Sequence, residues 1–143
     1  QRDPLVVLDC AKDPLSMKKL KESLKEFFPD KNIVLVIGIS SDKKIPLMLR
    51  EIVPVSRLVI ITKNKVAGRA ADTGMMAKEV EKYKKDYLMV DDVRNAVAKA
   101  IEFSEDNDVI CVTGSVFTVG EAREIWYPEK VLWGRELNEI RLK

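Results

Sequence analysis

Short, unbroken apolar runs alternate along the chain with stretches in which apolar residues recur every three or four positions. The runs cover residues 5–8, 33–37, 58–62, 87–90 and 108–112. None alternates polar with apolar, as expected of strands covered on both faces. The intervening segments have a helical period. Asp13-Pro14 opens the first, because Asp caps a helix and Pro suits its first turn. That helix runs to about residue 28, with Leu15, Leu20, Leu24 and Phe27 or Phe28 on one side. Further helices are expected over about 45–52 (stopped before Pro54), 73–84, from Asp91-Asp92 through Val93, Val97, Ala100 and Ile101, and near 119–125. Val131-Leu132-Trp133 reads as a final edge strand.

A strand-helix unit repeated five times predicts an α/β fold. The expected form is a Rossmann-like three-layer sandwich: a mostly parallel sheet of five or six strands with helices on both faces. No repeat, low-complexity linker or composition break divides the 143 residues, so residues 1–143 read as one domain. In such sheets a ligand sits outside the carboxyl ends of the strands. That rule selects the loops after Leu8, Ile37, Thr62 and Val112 before any motif is considered.

Composition narrows the chemistry. The 25 basic and 23 acidic residues nearly cancel, which gives no electrostatic case for nucleic acid or an anionic membrane. No apolar run is long enough to span a bilayer. Two cysteines, Cys10 and Cys111, do not make a disulfide or zinc framework, and both read as small core filler rather than nucleophiles. Histidine is absent, which removes imidazole bases and most transition-metal sites. Neither G-x-x-x-x-G-K-[ST] nor G-x-G-x-x-G occurs. Lys- and Glu-rich usage, with Gln1 the only Gln, points to a heat-adapted source. The start at Gln1 without a Met points to a piece of a longer chain.

Four loops hold the candidate groups. Asp9-Cys10-Ala11-Lys12-Asp13 places carboxylates and an ammonium group at a helix N-terminus; these either serve a ribose or a carboxylate, or Asp13 only caps the helix while Asp9 pairs with Lys12. Asp42, Lys43 and Lys44 either approach a phosphate or form a solvated turn. Arg69, in a basic small-residue loop with Lys63, Lys65 and Gly68, is either a two-pronged anion clamp or a surface charge. Thr113-Gly114-Ser115 joins a buried strand to a helix start, an anion-binding arrangement unless Ser115 or Thr118 is merely the cap.

Taken in order, these blocks resemble the C-terminal domain of the Mur ligase superfamily, most closely that of folylpolyglutamate synthase and dihydrofolate synthase. Leu8-Asp9-Cys10-Ala11-Lys12-Asp13-Pro14 is similar to the family's Asp-Gly-Ala-His-Asn-Pro after a strand. Val36 to Lys43 is similar to its strand-Gly-x-x-x-Asp-Lys, Arg69-Ala70 to a later Arg-Ala pair, and Val112 to Glu121 to its Val-Thr-Gly-Ser-(apolar)-(aromatic)-x-Val-Gly-Glu. Lys12 stands where the family has His, Asp13 where it has Asn, and Cys10 where it has Gly. Lys cannot accept a hydrogen bond as a neutral imidazole does.

The resemblance implies one part of an ATP-dependent amide ligase. A central domain, absent from this chain, carries the phosphate loop with ATP and magnesium. An acyl phosphate forms on a folate or peptide carboxyl group, and an amino acid's amine attacks it. By the same resemblance Asp9 and Lys43 lie on the nucleotide side of the cleft. Ser115 lies near the carboxylate of an incoming glutamate, and Lys12 and Arg69 are further substrate contacts. No residue of this chain is expected to be catalytic or to bind metal, and the chain alone is expected to be inactive. Its expected neighbours are glutamate, ATP, folate and the missing N-terminal domain, with a monomeric state and a cytoplasmic location. The altered positions 12 and 13 support a second expectation: an accessory or ligand-binding module with an eroded signature, alone or fused to another folate-pathway enzyme. A generic doubly wound domain with no inherited site is a third. Trp126, Tyr127 and Trp133 either close over the core or dock on the missing neighbour.

Overall fold

The computed structural model describes residues 4–128. Strands and helices alternate as β1 (Leu5–Leu8), α1 (Pro14–Phe27), β2 (Asn32–Ile37), α2 (Ile45–Ile52), β3 (Ser56–Ile61), α3 (Thr73–Glu81), β4 (Asp86–Met89), α4 (Val93–Phe103), β5 (Asp108–Thr113) and α5 (Val116–Arg123). The five strands form one parallel sheet in the order β1-β5-β2-β3-β4. The expected strand at 131–133 lies outside the described residues.

Element ends follow local chemistry more closely than periodicity does. The helix expected to reach 84 stops at Glu81, and the chain turns through Lys84 with φ 53°. The last helix begins at Val116 rather than near 119, because Ser115 caps it and accepts from the Phe117 amide at 3.1 Å. β3 starts two residues earlier than its apolar run. Ser56 is held there by its hydroxyl bond to the Ile52 carbonyl, and Arg57 by its ion pair with Asp108.

Alternate residues of each central strand feed opposite layers, as the two-residue period requires. Leu35 and Ile37 of β2 join Met17, Met48, Leu49 and Met76 from α1, α2 and α3 in one core cluster. Val34 and Val36 join Val97, Ala100 and Ala122 from α4 and α5 in the other. Met17, Met48 and Met76 are fully buried, and each such side chain contributes roughly 1.5–3 kcal/mol. Trp126 is half-buried against the second cluster, so it closes over the core; Tyr127 is exposed and lies against Arg123. Trp133 lies outside the described residues.

This layering decides where a crevice opens. The chain leaves β1, β2 and β3 toward the α1–α3 layer, but leaves β5 toward α5 on the opposite face. β5 lies between β1 and β2. Connections on its two sides therefore part from its own, and the space at its carboxyl end is left open.

Candidate functional site

The carboxyl ends of β2 and β5 are pinched together. Gly114 has φ +109°, and a Cβ there would lie 2.6 Å from the Gly38 carbonyl oxygen. A Cβ on Gly38 would lie 2.7 Å from Thr118 Oγ1 and 3.0 Å from the Thr62 carbonyl oxygen. Glycine at both positions lets backbone meet backbone. The Gly38 amide donates to the Thr113 carbonyl at 3.2 Å, and the Thr118 hydroxyl donates to the Gly38 carbonyl at 3.1 Å. The loops leaving Gly38 and Gly114 are thereby fixed beside each other.

A cleft of about 280 Å³ opens there, lined by Lys12, Ser40, Asp42, Lys43, Arg69, Ser115, Val116 and Phe117. Five residues singled out from sequence (Lys12, Asp42, Lys43, Arg69 and Ser115) meet in it. Asp9 does not line it; that residue sits in an adjoining groove of about 590 Å³ that shares Lys12 and runs along α1.

Each group reaches its place by a local interaction. Asp9 Oδ1 accepts from the Ala11 amide at 2.8 Å, which folds the β1–α1 loop into a tight turn. Asp9 makes no ion pair with Lys12, contrary to the structural alternative for that loop. Asp13 is a cap. It accepts from the Ser16 amide at 2.7 Å, while its own amide donates to the Ser16 hydroxyl at 3.1 Å. The Ser16 bonds, backbone first, hold the Asp13 carboxyl below its usual range, with the charges of Lys12 and Lys43 adding to them. Lys44 precedes α2 without a side-chain cap and does not line the cleft.

The β3–α3 loop carries Arg69. Ser40 and Ala70 form an antiparallel bridge. The Ser41 amide donates to the Arg69 carbonyl at 2.8 Å, and the Ala71 amide to the Ile39 carbonyl at 2.9 Å. The loop's charges are sorted by partner. Lys63 pairs with Asp91 at 3.7 Å and Lys65 with Asp92 at 3.2 Å, both at the start of α4. Arg69 has no carboxylate partner among the described residues; its guanidinium lies over the Phe117 ring, 5.8 Å from the centroid. Lys12 and Lys43 likewise have no ion pair among the described residues.

Ser115 is only 3% exposed. Its lone pair accepts from the Phe117 amide, which leaves its proton to donate. The cleft thus offers three unpaired cations, a buried hydroxyl and a helix N-terminus against the single lining carboxylate of Asp42. Chemically it suits an anion, and Arg69 can grip a carboxylate with two parallel hydrogen bonds. Phe117 is a lining residue that sequence reasoning does not single out, although it stands in the Thr-Gly-Ser block; an aromatic two residues past a capping Ser is the available signal. No group of three His, Cys, Asp or Glu side chains converges among the described residues. No described helix is long and apolar enough to cross a membrane.

Comparison with known proteins gives a consistent picture. Residues 1–116 match the family model described as "Mur ligase, glutamate ligase domain". A probable bifunctional folylpolyglutamate synthase/dihydropteroate synthase of Halobacterium salinarum is 32% identical over 125 residues, covering 87% of this chain and 15% of that protein. A UDP-N-acetylmuramoyl-L-alanyl-D-glutamate–2,6-diaminopimelate ligase of Clostridium botulinum is 31% identical over 114 residues, covering 76% of this chain and 23% of the relative. Among solved structures, the Mycobacterium tuberculosis folylpolyglutamate synthase complexed with ADP superposes with TM-score 0.83 at 26% identity, covering 90% of this chain and 31% of the other. The Thermotoga maritima folylpolyglutamate synthase gives TM-score 0.74 at 31% identity, covering 88% and 28%. The chain therefore spans less than a third of each of these proteins.

Proposed function

Because the chain belongs to the Mur ligase glutamate-ligase-domain family, we propose that it is the C-terminal domain of a folylpolyglutamate-synthase-like, ATP-dependent amide ligase, and that its cleft binds the carboxylates of an incoming glutamate. The observation that carries this reading is the meeting of Lys12, Lys43, Arg69 and Ser115 around one cleft, with the three cations unpaired.

Arg69 grips one carboxylate from the β3–α3 loop, and the Ser115 hydroxyl donates to it from the start of α5. Lys12 supplies the field that draws a dianion in, an effect that falls with added salt. Holding both carboxylates leaves the amine to point away from the cationic wall, toward the acid it attacks. That division of labour is positioning rather than chemistry.

Bound ATP and magnesium would supply activation of the acid. The residues present fit a nucleotide's edge: Lys43 is free for a phosphate, and Asp9 keeps a second carboxylate oxygen for a ribose hydroxyl. Magnesium and the phosphate loop are assigned to the domain this chain lacks. We further propose that the chain alone is inactive and monomeric, and that the complete enzyme is cytoplasmic. A second reading, an accessory module fused to another folate-pathway enzyme, is favoured by Lys12 and by an Asp13 whose Oδ1 caps the helix; the H. salinarum relative is itself described as bifunctional.

Calorimetric titration of the 143-residue chain separates these. The ligase reading expects saturable L-glutamate binding that weakens with salt and falls more than tenfold, to a still measurable level, in Arg69→Ala, and no glutamate-dependent ATP hydrolysis. Absence of glutamate binding at millimolar ligand, or hydrolysis by this chain alone, contradicts it.

A further inference from the structure

One contact lies outside the cleft yet controls a wall of it. The Lys65 amide donates to Glu121 Oε1 at 2.6 Å across a sequence separation of 56 residues. Glu121 is on α5, four residues after Phe117, so the two side chains share one helix face. That face meets the β3–α3 loop twice: Phe117 lies under Arg69, and Glu121 holds the Lys65 backbone. The Lys65 side chain pairs separately with Asp92 at 3.2 Å.

Beyond Lys65 the loop turns, with the Val66 amide donating to Asn64 Oδ1 at 3.0 Å and the Arg69 amide to the Val66 carbonyl at 3.2 Å. Arg69 is tied on its far side to Ser41. The near end of the segment from Lys65 to Arg69 is therefore held twice, by an exposed Lys65–Asp92 ion pair and by the Glu121 carboxylate, and the second ties it to the helix that also presents Ser115.

We infer that Glu121 is a positioning residue for Arg69. It registers the β3–α3 loop against α5, so that the guanidinium and the Ser115 hydroxyl line the same cleft in a fixed relation. The charge-assisted bond is to backbone, so the register does not depend on which side chain stands at position 65. The inference deepens the anion-site reading and rests on it only for its effect on ligand.

The test has two arms on the 143-residue chain. In the free protein, the Arg69 side-chain protons carry an upfield ring-current shift from Phe117. Glu121→Ala removes most of that shift and speeds exchange of the loop amides, whereas Glu121→Gln, which keeps an acceptor oxygen, preserves both. With L-glutamate as ligand, Glu121→Ala weakens binding about threefold to tenfold, but less than twofold in an Arg69→Ala background, the non-additivity expected of coupled residues. Unchanged Arg69 resonances in Glu121→Ala, or an equal loss of affinity with and without Arg69, overturns the inference. If the wild-type chain binds no glutamate, the functional reading fails, and the Arg69 resonances still decide the positioning role.

Discussion

Replacing Gly114 by Ala attacks the pinch that creates the cleft. At φ +109° an L side chain is strained, which costs about 1–2 kcal/mol. The new Cβ would also lie 2.6 Å from the Gly38 carbonyl oxygen and 3.1 Å from the Gly38 carbonyl carbon. Both are backbone atoms of β2's extension, held by the Gly38 amide's bond to the Thr113 carbonyl and the Thr118 hydroxyl's bond to the Gly38 carbonyl, so neither yields as a flexible side chain would. Overpacking of that kind adds about 1–3 kcal/mol. Gly114→Ala is thus expected to destabilise the domain by about 3 kcal/mol, a large fraction of a typical total. Gly120→Ala is the internal control. Gly120 lies inside α5, and a methyl group added there would meet nothing within 4 Å, so alanine stabilises by about 0.5–1 kcal/mol. Urea unfolding of the two variants beside wild type reads both signs at once. A loss below about 1 kcal/mol for Gly114→Ala would refute the claim that the two loops are fixed by backbone contact.

Other outcomes follow from single contacts. Arg57→Ala leaves the Asp108 carboxylate buried without its ion-pair partner and is expected to cost about 3 kcal/mol near neutral pH. Burial alone would raise the Asp108 carboxyl, but bonds from Arg57 and the Glu105 amide outweigh it and hold the group below its usual range. The stability it contributes is present above the ordinary carboxylate range and lost as pH falls through its lowered value, so the gap between wild type and Arg57→Ala narrows below about pH 4 in acid-unfolding curves. Ser115→Asp keeps a capping oxygen but puts a carboxylate in the cleft, and glutamate affinity should fall more than tenfold in calorimetric titration. Cys10 is exposed, whereas burial first and the Asp9 charge second push the Cys111 thiol far above its usual range. A thiol reagent should therefore label Cys10 promptly and Cys111 only on unfolding.

The sheet was legible because its central strands are buried on both faces and leave unbroken apolar runs such as Ile33 to Ile37. The helix starts at Asp13 and Asp92 were legible because capping is local chemistry; at the last helix Ser115 and Thr118 both stood as candidate caps, and the start near 119 was three residues late. Helix ends were not: the stop at Glu81 depends on Lys84 entering positive φ, which no periodicity encodes. Which loops converge followed from topology, and the sheet order indeed brings Lys12, Lys43, Arg69 and Ser115 to one rim. Asp9, one residue beyond β1, turned into the neighbouring groove because its carboxylate is bound to the Ala11 amide. Contacts between distant segments, such as Glu121 with Lys65 or Thr118 with Gly38, carry no signature in either segment alone.

The most direct measurement is an amide-resolved NMR titration of the chain with L-glutamate. If the carboxyl rim is one anion-binding cleft, the largest shifts fall together on Lys12, Lys43, Arg69, Ser115 and Phe117, with a common midpoint. Shifts scattered over the α4 face or the amino ends of the strands, with those residues silent, would contradict it.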